Sequence, residues 1–240
     1  MSGDAPVRAL VLCGGGRHSD RWHDLAGTGQ AVADLLDGLG VRATLTSRVI
    51  DVVADGQFDT DLLVVNCSQS ARDPELDDPD DPREDLQPFA AALDAHVAAG
   101  RPVLALHSST LAFPDVPRWA EVLGARWREG VTMHPDLGPT VVQLHPDAHP
   151  LAAGLTDVSV EDERYSRLEL IEDLGAVVPY LTHEHAGVTY PLAWAREVGP
   201  TRARVVYDAL GHDARSYRSE TRRALFGAEV RWLLGDHTER

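Results

Sequence analysis

Arg101-Pro-Val-Leu-Ala-Leu-His-Ser-Ser-Thr110 is the stretch that decides the fold. Its apolar run, Val103 to Leu106, follows Gly100-Arg-Pro and gives way abruptly to polar residues, which is typical of a fully buried strand in a parallel sheet. His107 then falls on the turn from this strand into a helical segment. Ligands of open α/β sheets bind at the carboxyl ends of strands, so His107 marks a candidate site. A nucleophile elbow would present Ser or Cys at such a turn, and here the residue is histidine.

The segments before this strand alternate between strand and helix patterns. Predicted strands cover 7–13, 41–46 and 61–67, and residues 31–39 and 86–99 carry apolar residues at helical spacing. The connections are too long for hairpins. This alternation predicts an α/β fold built on a doubly wound, mostly parallel sheet with helices on both faces.

The second half of the chain is more irregular. Strands are predicted at 140–145, 176–181 and 204–208, with a turn tip at 183–187 that exposes His183 and His185, and a closing amphipathic helix covers 220–234. The Asp- and Pro-rich segment 73–82 is predicted to be a solvated loop. Because no linker divides the chain, we expect residues 1–240 to form a single domain.

The composition excludes several classes of function. The 240 residues carry a net charge of −16, which argues against nucleic acid and anionic membranes as partners. The sequence contains no lysine, so pyridoxal phosphate chemistry and a P-loop are excluded. Cys13 and Cys67 end two predicted buried strands, which favours reduced cysteines in a cytoplasmic protein.

Polar side chains follow several predicted strands at the points where the strands end. They are His18 after the first strand, Cys67-Ser68 after the third, His107-Ser108 after the fourth and His212-Asp213 after the last. Because the carboxyl ends of parallel strands meet at one edge of a sheet, we expect these side chains to converge. A lone histidine is more often a packing or capping residue, but His107 and His212 both lie on turns after apolar strands, which favours a functional role for the pair.

Two further features belong to the same candidate site. Asp162, Glu163 and Tyr165 add carboxylates and a phenol to the imidazoles, and these groups serve general acid–base catalysis or metal binding. The loop Gly14-Gly-Gly-Arg-His-Ser19 lacks the G-x-G-x-x-G spacing, so no nucleotide is expected there. Its glycines either supply a tight turn or form a substrate-binding loop.

Several pieces of the sequence, in order, resemble the trehalose-utilisation (ThuA-like) family within the class I glutamine amidotransferase-like fold. They are Gly14-Gly with His18, Leu106-His107, Gly130 to His134-Pro135, His149-Pro150, Asp162-Glu-Arg-Tyr165, Pro191-Leu-Ala-Trp194 and Arg204 to Asp213. The resemblance implies a flavodoxin-like sheet with an added β-rich flap. It also implies that the amidotransferase triad is lost, which agrees with His107 at the elbow, so glutaminase chemistry is rejected.

The resemblance implies a carbohydrate substrate, and a 3-oxo-glycoside is the specific expectation, with elimination, hydrolysis or isomerisation as the reaction. The expected catalytic residues are His107, His212 and Glu163. The expected substrate contacts are Gly15, His18, Ser108, Asp162, Tyr165, Trp194, Asp213 and Tyr217. A divalent metal (Zn, Mn or Fe) held by some of His18, His107, His134 and His212 is a further hypothesis, although the spacing does not establish it.

A non-catalytic sugar-binding or accessory protein on the same fold is the alternative, because the fold alone does not separate the two functions. Replacing His107 or His212 would discriminate between them: turnover collapses in an enzyme, whereas only ligand affinity falls in a binding protein. The sequence leaves open whether the chain forms a homo-oligomer.

Overall fold

A computed structural model describes residues 5–56, 58–69 and 85–235 of the chain. The first half supplies strands β1 (Arg8–Cys13), β2 (Arg42–Thr46), β3 (Leu62–Asn66) and β4 (Val103–Leu106), and helices α1 (Leu25–Gly38), α2 (Asp51–Ala54), α3 (Gln87–Ala98) and α4 (Pro117–Leu123). The second half supplies β5 (Ala125–Arg126), β6 (Gly138–Leu144), β7 (Val158–Asp162), β8 (Glu169–Leu170), β9 (Val178–His185), β10 (Val188–Val198), β11 (Ala203–Asp208) and α5 (Glu220–Leu234). The predicted segment 73–82 lies outside the described residues.

Nine of the described strands form one sheet in the order β2-β1-β3-β4-β11-β10-β9-β6-β7. The pairs from β2 to β11 are parallel, and those from β11 to β7 are antiparallel. This confirms the predicted α/β class with a mostly parallel doubly wound half. The strand-rich extension continues the central sheet, and β5 and β8 pair separately.

The central parallel strands are buried because helices cover both of their faces. Helix α1 contacts α5 on one side, while α3 contacts both α2 and α4 on the other. Every residue of β3 and β4 is buried, which is why these strands read as continuous apolar runs instead of an alternating pattern. Transferring each such Leu or Val side chain out of water contributes roughly 1.5–3 kcal/mol to folding.

Local signals set the helix ends that frame the site. The Asp24 carboxylate accepts a hydrogen bond from the Gly27 amide at 2.9 Å and so caps α1. Ser219 caps α5 in the same way, and Gly235 ends that helix with a left-handed φ of 65°. None of the helices in the described ranges is long and apolar enough to cross a membrane.

The hairpin of β9 and β10 corrects one expectation. The predicted turn at 183–187 is shorter than expected, because only Ala186 and Gly187 form the tip, with φ values of 52° and 76°. His183 lies within β9 and is buried, and its Nε2 contacts the Ser166 hydroxyl and the Tyr165 carbonyl, each at 3.1 Å. It is therefore a structural histidine and not an exposed turn residue.

Candidate metal centre and active site

Four side chains meet at the carboxyl ends of the central strands. They are His23, His107, Glu163 and His212, and their ligand-type atoms all lie within 4.8 Å of one another. His107 and Glu163 are buried, while His23 and His212 are partly buried. Three imidazoles and a carboxylate in this arrangement form the candidate site.

His107 begins a short 3₁₀ turn directly after β4. Its φ of 42° is left-handed, which a non-glycine residue adopts at a cost of roughly 1–3 kcal/mol, and such strain clusters at functional sites. Its Nδ1 lies 2.6 Å from the carbonyl oxygen of Ala209. A carbonyl only accepts hydrogen bonds, so we assign the ring proton to Nδ1, and Nε2 presents a lone pair to the centre.

His23 is oriented by a carboxylate. Its Nδ1 lies 2.8 Å from each oxygen of Asp20, which also accepts hydrogen bonds from the Trp22 amide and the Ser68 hydroxyl. Burial alone would raise the pKa of Asp20, but the contacts from His23 and Ser68 hold that pKa below its usual value. The Nε2 of His23 is buried and has no hydrogen-bond partner among the described residues. A second lone pair therefore faces the centre, and burial lowers the pKa of this imidazole.

Glu163 connects the histidines. Its Oε2 lies 3.5 Å from His107 Nε2 and 3.2 Å from His212 Nδ1, and its Oε1 lies 3.4 Å from His134 Nδ1. Burial would raise the pKa of this carboxyl, but the contacts with His107 and His212 hold it well below its usual value. Glu163 is therefore ionised at neutral pH, and it raises the pKa of His212 against the opposing effect of burial.

A curled sheet brings Glu163 to this position. Strand β7 stands four places from β11 in the sheet order, yet Asp162 at its end accepts hydrogen bonds from the Gly211 and His212 amides, at 2.8 and 3.1 Å. The twist and curl of the sheet must therefore return its edge strand to the loop after β11. Asp162 is fully buried behind the centre, and burial raises its pKa.

The donor set fits a divalent cation. The Nε2 lone pairs of His23 and His107 and the Glu163 carboxylate are all acceptors, and acceptors that face one another need a proton or a cation between them. A tetrahedral metal with bonds of about 2.1 Å separates its ligand atoms by roughly 3.4 Å. The contacts of Glu163 with His107 and His212 already have this spacing. Nitrogen-rich sets with one carboxylate suit Zn, Mn or Fe.

The structure brings together all three residues predicted to be catalytic, His107, His212 and Glu163, and places the predicted substrate contact Tyr165 beside them. The Tyr165 hydroxyl lies 3.0 Å from His107 Nε2, and the side chain is almost completely buried. His134 contacts Glu163 but does not belong to the four-residue set, and 35% of its side chain is exposed. It forms the open side of the site.

His18 is not in the metal set, which corrects its predicted ligand role. Its ring is buried against Phe113, with ring centroids 5.3 Å apart. His23, five residues later, occupies the expected place. Sequence reasoning missed His23 because it lies in an irregular loop, and the one available signal was the Asp20-x-x-His23 spacing that matches a carboxylate orienting an imidazole.

Trp194 also departs from expectation. It is wholly buried, its indole N–H donates to the Leu123 carbonyl at 3.0 Å, and its ring packs 4.4 Å from that of Tyr207. No surface remains for a sugar, so the predicted substrate contact is wrong. Trp194 is a core residue.

The other predicted contacts do not belong to the four-residue cluster. Ser108 is buried and donates to the Cys67 carbonyl at 3.3 Å, and Asp213 is paired with Arg215 at 2.6 Å. Tyr217 is buried with its ring 5.2 Å from the Arg222 guanidinium. Gly15 lines a separate cavity of about 280 Å³ whose walls include none of the four clustered residues.

Comparison with known proteins agrees with this architecture. A family model described as ThuA, trehalose utilisation, matches residues 9–233. No curated protein matches the chain.

Solved structures show the same fold at low identity. ThuA-like proteins from Parabacteroides merdae and Bacteroides uniformis each superpose with a TM-score of 0.69, at 15% and 14% identity, covering 96% and 97% of this chain and 90% and 94% of theirs. A glutamine amidotransferase from Thermotoga maritima superposes with a TM-score of 0.56 at 11% identity, covering 96% of this chain and 99% of its own. At these identities the likeness shows the fold alone.

Proposed function

The chain belongs to the trehalose-utilisation family, and from that premise we propose that it is a carbohydrate-processing enzyme whose His23, His107, Glu163 and His212 side chains bind a divalent metal. The proposed substrate class is a 3-oxo-glycoside. The observation that carries the proposal is the buried convergence of two imidazole lone pairs, each imidazole being held by a contact at its Nδ1, on one ionised carboxylate. A bound divalent cation would supply Lewis acidity toward the substrate's ketone.

Two groups behind the centre fix the direction of its imidazoles. The Ala209 carbonyl and the Asp20 carboxylate each bind the Nδ1–H of a histidine, so that both Nε2 atoms point inward. Such partners set the tautomer of a ligating histidine and raise its basicity. The chain thus holds its donor atoms in place before any ligand arrives.

His134 is the proposed base. Its Nδ1 lies 3.1 Å from the Pro135 carbonyl and 3.4 Å from Glu163, so Nδ1 carries the proton and Nε2 is an acceptor. The side chain is 35% exposed and can reach a substrate from the open side. The Glu163 carboxylate would stabilise the imidazolium that forms after proton transfer.

The chemistry follows from the position of the ketone. A carbonyl at C3 of the sugar acidifies the C2–H bond, and the C2 proton moves to His134 Nε2. The electron pair forms a C1–C2 double bond, the bond from C1 to the glycosidic oxygen breaks, and the leaving oxygen takes the proton from the His134 imidazolium, which restores the neutral base. Water addition to the unsaturated product completes a hydrolysis, whereas reprotonation without loss of the leaving group gives exchange or isomerisation.

Trp127 is the proposed contact for the sugar ring. Its indole is half-buried, with its centroid 5.1 Å from the ring of Tyr165 and 6.3 Å from that of His134. Indole and sugar C–H faces are complementary in shape and polarity, and Trp127 is partly exposed beside His134, the proposed base.

Proton NMR in D₂O tests the proposal. Metal-reconstituted protein mixed with 3-oxo-trehalose is expected to remove the C2 proton signal and the anomeric signal. The His134→Ala variant should slow both changes on the order of 10²–10⁴-fold. His145→Ala is the matched control. The His145 ring hydrogen-bonds the Thr182 hydroxyl at 2.8 Å, and neither residue belongs to the four-residue cluster. If the wild type broadens the substrate lines but removes neither signal, the result would contradict the proposed enzymatic activity and favour a sugar-binding protein.

A further inference from the structure

We infer that the Tyr165 hydroxyl donates its hydrogen bond to Nε2 of His107 when the centre holds no cation. On cation binding the same hydroxyl becomes the hydrogen-bond donor to the substrate's ketone oxygen. This inference rests on the proposed function. It makes Tyr165 a catalytic residue that is not a metal ligand.

The direction of the hydrogen bond follows from His107. Its Nδ1–H donates to Ala209, so Nε2 is an acceptor and the Tyr165 hydroxyl, 3.0 Å away, must be the donor. The two rings are tilted by 35° with centroids 4.5 Å apart. In this state both nitrogens of His107 have hydrogen-bond partners.

One lone pair cannot serve both a hydroxyl proton and a cation. With a cation held at Nε2 of His107, the Tyr165 hydroxyl would lose its acceptor while remaining in a buried place, where an unsatisfied donor is costly. The proton must then find another acceptor within reach of the centre. A ketone oxygen of a substrate bound there would supply one.

The phenol ring has little freedom to move away. Its backbone is held in place, because the Tyr165 carbonyl contacts His183 Nε2 at 3.1 Å and the next residue, Ser166, pairs with Met133 through two hydrogen bonds. Trp127 packs edge-on against the ring at 5.1 Å. The hydroxyl therefore stays at the centre and can only change its partner.

The chemical benefit lies in the charge that develops on the ketone oxygen as the C2 proton leaves. A buried, pre-oriented donor stabilises such a charge, and removing one such donor lowers turnover by about 10²–10³-fold in enzymes with oxyanion holes. Removing the hydroxyl should have a different effect on the cation. It frees His107 Nε2, so metal affinity should rise.

The test is zinc affinity in Tyr165→Phe, measured by competition with a chromophoric chelator, together with turnover of 3-oxo-trehalose. We expect zinc to bind about two- to tenfold more tightly in the variant, the change equivalent to one net hydrogen bond, while turnover falls on the order of 10²-fold. The His145→Ala control should change neither quantity. Circular dichroism confirms that each variant is folded.

Weaker zinc binding in Tyr165→Phe would overturn the inference, and so would a phenolate absorption change near 295 nm in the wild type on zinc addition, because both identify Tyr165 as a ligand. These outcomes leave the proposed metal enzyme intact. If the wild type binds no zinc, manganese or iron at all, the metal centre and the inference fall together.

Discussion

Nδ1 of His107, which follows β4, donates a hydrogen bond to the carbonyl oxygen of Ala209, which follows the neighbouring strand β11, over 2.6 Å. The loop that follows β11 thereby fixes the tautomer of the histidine that follows β4. The same loop carries His212, and its amides bind Asp162 at the end of the curled-back strand β7. The three chain segments therefore form one framework for the centre.

Asp20 should govern metal affinity without touching the metal. In Asp20→Asn the side-chain oxygen can still accept from the His23 ring and from the Trp22 amide, but the negative charge is lost. We expect metal affinity to fall about 10–100-fold with little loss of fold stability. Chelator competition measures the change, and Asp34→Asn, on the exposed face of α1, is the control. Equal affinity in both variants would show that Asp20 is only a loop residue.

A buried ion-pair network supports the same loop from behind. Arg222 is fully buried, lies 3.0 Å from Asp208 and 3.7 Å from Glu229, and Asp208 accepts a hydrogen bond from the Leu210 amide. Removing one partner leaves an unpaired buried charge, so Arg222→Met should lower the free energy of unfolding by about 3–5 kcal/mol.

Urea denaturation checks the effect of Arg222. The matched control is Arg223→Met on the exposed side of α5, where the guanidinium bonds only the Arg218 carbonyl among the described residues, and we expect a change of at most about 0.5 kcal/mol. Equal stabilities for the two variants would contradict an important role for the network.

His96 makes stability depend on pH. Burial lowers its pKa in the folded chain, Arg101 lowers it further, and the Pro102 carbonyl, Asp59 and Asp61 oppose these effects. Below about pH 6.5, His96 takes up a proton in the unfolded chain. In the folded chain it stays neutral until the pH falls further.

The stability contributed by neutral His96 is therefore complete above pH 6.5 and is lost as the pH falls through the folded-state pKa. Urea midpoints at pH 7.5 and 5.5 should differ less in His96→Gln than in the wild type or in His145→Gln. The same pH response in all three proteins would exclude His96 as a cause.

The parallel half of the fold could be predicted because its strands are buried on both faces. The run Val103–Leu106 was predicted with its observed bounds, and α5 was predicted at 220–234 as observed. The prediction of β9 and β10 was incomplete, since their pairing is set by contacts with β11 and β6 that local patterns do not record. Whether Trp194 points into the core depends on strand register, because a shift of one residue moves every side chain of the strand to the opposite face of the sheet.

The site could be predicted only in part. His107 and His212 were found because polar residues follow apolar strands, and Glu163 and Tyr165 because they cluster with Asp162 in one short motif. His23 follows no strand and no helical period, so the choice between it and His18 depended on the path of an irregular loop. The convergence of β7 with the parallel strands required the curl of the whole sheet, which no short stretch of sequence specifies.

The comparison of His23 with His18 tests the metal centre most directly. Wild type, His23→Ala and His18→Ala are reconstituted with zinc, desalted and measured by elemental analysis. The structure predicts one zinc per chain in the wild type and in His18→Ala, and loss of bound zinc in His23→Ala, because only His23 directs a buried lone pair at Glu163, His107 and His212. Retention of zinc by His23→Ala, or its loss only in His18→Ala, would contradict the proposed centre.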